Sequence, residues 1–140
     1  MDIILRIIIL LVLVSICISD LKTNIISNKK IIVLIFAVFL HCHISESYIN
    51  LIWFLPVIFF GMLTWSLGCW GAGDAKLMAA LSPLINHENY IFTLVLVLAL
   101  GCVQVLLMIA VCKLSGMNFP KKIAYGVPIS LGCMTVFFLQ

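Results

Sequence analysis

Apolar residues run through this chain in long blocks, and polar residues gather in the short gaps between them. The first block covers residues 3–19, and the gap at 20–30 holds Lys22, Lys29 and Lys30. The second block, 31–44, closes on His41-Cys42-His43, and a turn at 45–48 carries Glu46. The third, 49–67, contains Pro56 as a tolerated kink. A glycine-rich stretch, 68–73, leads into a fourth block at 75–85. A polar turn at 86–89 precedes the fifth, 90–112, and a loop at 113–122 with three lysines precedes the last, 123–139. A spanning helix needs roughly 20 apolar residues. The pattern therefore predicts an all-α polytopic membrane protein with six transmembrane helices, the second and fourth of them short.

Composition supports that reading. Hydrophobic residues make up 65% of the 140 positions, and the mean hydropathy is +1.32. A water-soluble domain of this size has no use for so much apolar surface, so the bilayer is its solvent. No linker, low-complexity stretch or internal repeat divides the chain, which predicts one integral-membrane domain over residues 1–140. The first block resembles a signal sequence, but Asp2 precedes Arg6 and no small-x-small cleavage site follows. It is expected to stay as a helix.

Charge then fixes orientation. A net charge of +3 gives no reason to expect a nucleic-acid partner. With six crossings, Lys22, Lys29, Lys30, Lys76, Lys113, Lys121 and Lys122 all fall on one side, the cytoplasmic one, opposite Arg6. Glu46, Glu88 and both termini then fall on the non-cytoplasmic side. Removing either short helix breaks this alternation.

Only five side chains are carboxylates: Asp2, Asp20, Glu46, Asp74 and Glu88. Acids at the edge of a membrane helix are costly and therefore candidates for function. The topology puts just two of them, Asp20 and Asp74, on the cytoplasmic face, where they can meet. Two adjacent aspartates cannot both ionise cheaply, so the pair shares a proton. One can then deprotonate a water while the other protonates a peptide carbonyl, with no metal and no cofactor. The pair titrates as a unit, so separate acid and base roles are not assigned. Asp74 follows Gly71-Ala72-Gly73. Glycine permits unwound or closely approached backbone, which a protease in a membrane needs where it lines a wet cavity. An Asp after glycine is also a good helix N-cap. On pattern alone, capping and catalysis stand level.

The remaining chemistry-bearing residues read as structural. None of the six cysteines forms a C-x-x-C pair, and they read as small apolar side chains. His41 and His43 lie about 200° apart on a helix, so they share no face for a metal. Trp53, Trp65 and Trp70 read as interfacial or lipid-facing bulk. Pro83 and Pro128 are expected to kink helices, and Gly101 and Gly116 to allow close packing or a turn.

Three segments together resemble the type IV prepilin peptidases. Asp20-Leu21-Lys22-Thr23-Asn24-Ile25-Ile26-Ser27-Asn28 is similar to the segment after that family's first helix, although Ser27 stands where proline is common. Gly71-Ala72-Gly73-Asp74-Ala75-Lys76-Leu77 resembles the family's G-x-G-D-x-K-L motif, the most specific of the three. Ala124-Tyr125-Gly126-Val127-Pro128 is similar to the Tyr-Gly-x-Pro segment that opens its last helix. The resemblance implies an intramembrane aspartic endopeptidase in the inner (plasma) membrane. Its active site would face the cytoplasm and remove the basic leader of prepilin or pseudopilin precursors. It implies Asp20 and Asp74 as catalytic residues, with Gly71, Gly73 and Lys76 supporting the motif or the substrate. The first loop is short and lacks the paired cysteines of larger bacterial members. That departure argues against N-methylation and bound zinc, and it resembles the short peptidases of Tad/Flp-type pilus systems.

Two rival classes fit the same residues. A non-catalytic membrane subunit of a pilus or secretion apparatus would use Asp74 as a cap and Asp20 as a boundary charge. A proton-coupled transporter subunit would also hold intramembrane acids, but near the bilayer midplane. The sequence identifies neither the individual substrate nor the oligomeric state.

Overall fold

The computed structural model describes residues 2–67, 71–115 and 123–139, and among these every regular element is a helix, with no strand. Six α-helices follow in order: α1 (Asp2–Thr23), α2 (Asn28–Ile44), α3 (Phe54–Ser66), α4 (Ala72–Leu81), α5 (Tyr90–Ser115) and α6 (Gly126–Leu139). Every apolar block thus contains a helix. Two stretches, Ile3–Thr23 and His87–Ser115, are long and apolar enough to cross a membrane.

The helix ends depart from the apolar blocks in ways that matter for the site. Helix α1 does not stop at residue 19 but runs through Asp20 to Thr23. Asn24 ends it in the left-handed region (φ 50), with its N–H bonded to the Asp20 carbonyl at 2.8 Å. Asparagine tolerates that conformation and commonly closes helices this way. Helix α4 starts at Ala72, not residue 75, so Gly73 and Asp74 are helical. The two prolines expected to kink helices lie at helix ends. Pro83 lies in a 3₁₀ turn, Ser82–Leu84, that follows α4. Pro128 is the third residue of α6, where its missing N–H disturbs no helical bond. Pro56 occupies the same position in α3, preceded by a 3₁₀ turn, Tyr48–Trp53.

Four helices enclose the core. Helix α1 packs on α2 and α6, and α4 packs on α2 and α6, while α3 covers α4 and α5 covers α6. The buried side of α1 is Leu5, Ile9, Leu13, Ile16 and Asp20. The spacing of four, four, three and four residues keeps them on one helix face. Asp20 therefore points into the bundle because it continues the core stripe. Helix α4 is nearly all buried, from Asp74 to Leu81 with only Lys76 exposed. Its Ala75, Ala79 and Ala80 let the neighbouring helices approach closely. Elsewhere large apolar side chains face outward, Ile91, Phe92, Val95 and Leu114 of α5 among them. Apolar exposure on this scale suits lipid rather than water.

Candidate active site

Asp20 and Asp74 come together at one end of the bundle, from the last turn of α1 and the first turn of α4. Both are buried, at 4% and 9% exposure. The Asp20 charge lies close enough to act on Asp74. Each carboxylate also has a backbone partner. The Gly126 N–H, at the start of α6, donates to Asp20 Oδ2 at 2.8 Å. The Gly71 backbone N–H bonds to the Asp74 carboxylate.

The second bond bears on the capping question. Gly71 is the N-cap of α4, with extended backbone (φ −75, ψ 146). Asp74 is therefore the third helical residue, reaching back to the N-cap N–H as the acidic half of a capping box does. Capping and a place beside Asp20 do not exclude one another, since Asp74 carries both interactions.

Of the two purposes the sequence suggested for the glycines, unwound backbone and close approach, the structure shows the second. Neither Gly71 nor Gly73 adopts a left-handed conformation. They provide space. A Cβ on Gly71 would stand 2.8 Å from Asp74 Oδ2, and one on Gly73 would stand 3.2 Å from Ile26 Cβ. Gly126 is tighter still, because a Cβ there would meet Asp20 Oδ2 at 2.6 Å and Ile26 Cδ1 at 3.1 Å. Ile26, in the α1–α2 connection, is thus wedged between the glycine beside Asp74 and the glycine bonded to Asp20. It is 9% exposed.

Lys76 touches the site from outside. Its Nζ donates to Asn28 Oδ1 at 3.1 Å, tying α4 to the first residue of α2. That bond joins the first and second motif segments. Ser27, in place of the proline, is the N-cap of α2 without a side-chain capping bond. Lys30 is held on α1 through Ser15 O at 2.7 Å.

The sequence reading assigned no role to Gly126, Ile26, Asn28 or Gln104. Gly126 and Ile26 lie in segments it had singled out, but a backbone donor and a wedge leave no chemical signature there. Gln104 of α5 donates through Nε2 to the Ala124 carbonyl at 2.9 Å. It also lines a groove of about 750 Å³ between α1, α5 and α6, with Leu21, Asn24, Met108, Pro128 and Leu131. Two of its lining residues, Leu21 and Asn24, follow Asp20 closely in the chain.

The other chemistry-bearing residues sit apart. Buried His41 packs edge-on against Phe137, with ring centroids 5.2 Å apart. Trp53 stacks near Tyr90 at 4.7 Å, and Gly101 approaches the ring of Tyr125, the residue before α6. Among the described residues no three His, Cys, Asp or Glu side chains group as a metal site. Trp70, Gly116, Lys121 and Lys122 lie outside the described residues.

Comparison with known proteins adds the decisive finding. No curated protein and no solved structure matches the chain. Residues 7–106 match the type IV leader peptidase family, a span that holds both aspartates, the glycine motif and Lys76. The chain, with its two buried aspartates and its lipid-suited surface, belongs to the type IV leader peptidase family.

Proposed function

We propose that this protein is an intramembrane aspartic endopeptidase that removes the basic leader of type IV prepilin-like precursors, including Flp pilins and pseudopilins. The observation that carries the proposal is the burial of Asp20 and Asp74 at one end of the bundle, within electrostatic reach of each other. Family membership supports the peptidase class.

On this reading the two carboxylates share one proton. The ionised member takes a proton from water as that water attacks the scissile carbonyl carbon, and the protonated member gives its proton to the carbonyl oxygen. Collapse of the tetrahedral intermediate breaks the C–N bond, and the amine leaves with a proton from the pair. The Gly126 and Gly71 N–H groups hold the carboxylates in place without adding charge. Gly71 and Gly73 keep the site open, and Lys76 fastens the α4 start to α2.

The topology belongs to the same proposal. Six crossings put the site at the cytoplasmic face of the inner membrane, with both termini on the other side. The substrate's basic leader then stays in the cytoplasm, and its apolar helix lies against the enzyme beside Asp20. The Gly71–Asp74 bond also fits a non-catalytic subunit of a pilus or secretion apparatus, in which the acids only fasten helices.

The test is co-expression of a pilin-like precursor with and without the wild-type chain, followed by mass spectrometry of the precursor. Loss of the leader only when the chain is present is the expected result. Intact precursor, across a panel with basic leaders and long apolar helices, would leave the non-catalytic reading in possession.

A further inference from the structure

We propose that Gln104 is a positioning residue for Asp20, acting through the backbone that leads into α6. This rests on the protease reading above. Gln104 is the only amide or hydroxyl side chain in α5 between Thr93 and Ser115. It stands about 21 Å along the helix from Tyr90 and about 16 Å before Ser115, taking a rise of about 1.5 Å per residue. A polar side chain at such a place is costly unless it is bonded.

Its bond is directed to an informative acceptor. Ala124 is not part of α6, which starts at Gly126. Residues 123 and 124 have no regular structure, and Tyr125 is a turn. Gln104 Nε2 holds the Ala124 carbonyl at 2.9 Å, and two residues later the Gly126 N–H holds Asp20 Oδ2 at 2.8 Å. A plain fastening of α5 to α6 does not need this bond. Those helices already meet where Val97 of α5 lies against Gly132 of α6. The short irregular stretch before α6 is what needs fixing, and the direction of the Gly126 N–H depends on it.

The proposal therefore gives Gln104 an effect on the chemical step rather than on substrate affinity. Small misplacement of a reacting group can cost about 100-fold in rate. Two substitutions test it. Gln104→Met keeps length and removes the donor, while Gln104→Asn keeps the amide but falls short of Ala124. With wild type as control, kcat and KM are measured on a prepilin substrate in detergent, per folded enzyme. Amide hydrogen exchange is followed over residues 123–131. The expected result for both variants is a kcat drop of about 10- to 100-fold with KM within about two-fold, together with faster exchange in that segment.

Unchanged kcat overturns the proposal, as does a raised KM with kcat kept, which would make Gln104 a substrate contact. Lower abundance with normal kcat would reduce Gln104 to a structural role. If wild type cleaves nothing, the protease reading fails separately, and exchange still decides whether Gln104 orders the segment. Unchanged exchange then overturns the positioning role as well.

Discussion

The Gly126 N–H donates to Asp20 Oδ2 over 2.8 Å, joining the start of α6 to the last turn of α1. A single backbone bond thus fixes one carboxylate of the pair, and it requires a residue without a side chain at its donor. Because the atom a Cβ at 126 would displace is the carboxylate itself, substitution there harms the site before it harms the fold.

Gly126→Ala is therefore expected to insert at wild-type abundance and to lose at least about 10-fold in leader cleavage. Gly71→Ala should act likewise on Asp74, whose Oδ2 would lie 2.8 Å from the added Cβ. Quantifying membrane-extracted protein beside cleavage separates the two effects. Normal cleavage by Gly126→Ala would mean that the Asp20 geometry is not needed.

Gly61 gives the contrast. A Cβ there would meet Ala75 Cβ at 2.9 Å and Ala75 Cα at 3.2 Å, where α3 crosses α4. Backbone cannot swing aside as a carboxylate can. Gly61→Ala should destabilise the bundle by about 1–3 kcal/mol, the usual cost of overpacking. A thermal-shift assay in detergent should show the loss, and activity per folded molecule should stay near normal.

Lys76 and Asn28 form an exposed hydrogen bond between the two motif segments at 3.1 Å. Exposed partners exchange readily for water, so the net worth of such a bond is small. Lys76→Met and Asn28→Ala should each keep cleavage within about three-fold of wild type, and the double variant should be no worse than the poorer single. A loss approaching that of an aspartate variant would place Lys76 in the chemistry.

Tyr90 tests the other end of the molecule. Its hydroxyl donates to the Ser82 carbonyl at 2.6 Å, and its ring lies against Trp53. Tyr90→Phe removes one hydrogen bond, worth about 1 kcal/mol. Melting should fall while cleavage is unchanged, because the bond is about 21 Å along α5 from the level of Gln104.

The apolar blocks announced all six helices in order, because each block is an unbroken apolar run bounded by polar or glycine-rich gaps. Their ends were less legible. Helical hydrogen bonding extends beyond the apolar block at either end, which is how Asp20 joins the last turn of α1 and Asp74 the first turn of α4. The inward direction of Asp20 was hidden as well. In α1 both the core face and the lipid face are apolar, so no periodicity separates Ile9 and Ile16 from Ile4 and Leu11, although the first two are buried and the others exposed. Charge placement suggested that Asp20 and Asp74 share one face, and the structure puts both at one end of the bundle. The donors that hold them were not legible, because a backbone N–H is present at nearly every residue and only the fold aims one.

The shared-proton claim is tested most directly by leader cleavage with wild type, Asp20→Asn, Asp74→Asn and the double variant, each at matched membrane abundance. Residues that act as one unit lose their effect together. Both single variants should fall to the same floor, with the double variant no lower. Cleavage retained by either single variant would contradict a catalytic pair.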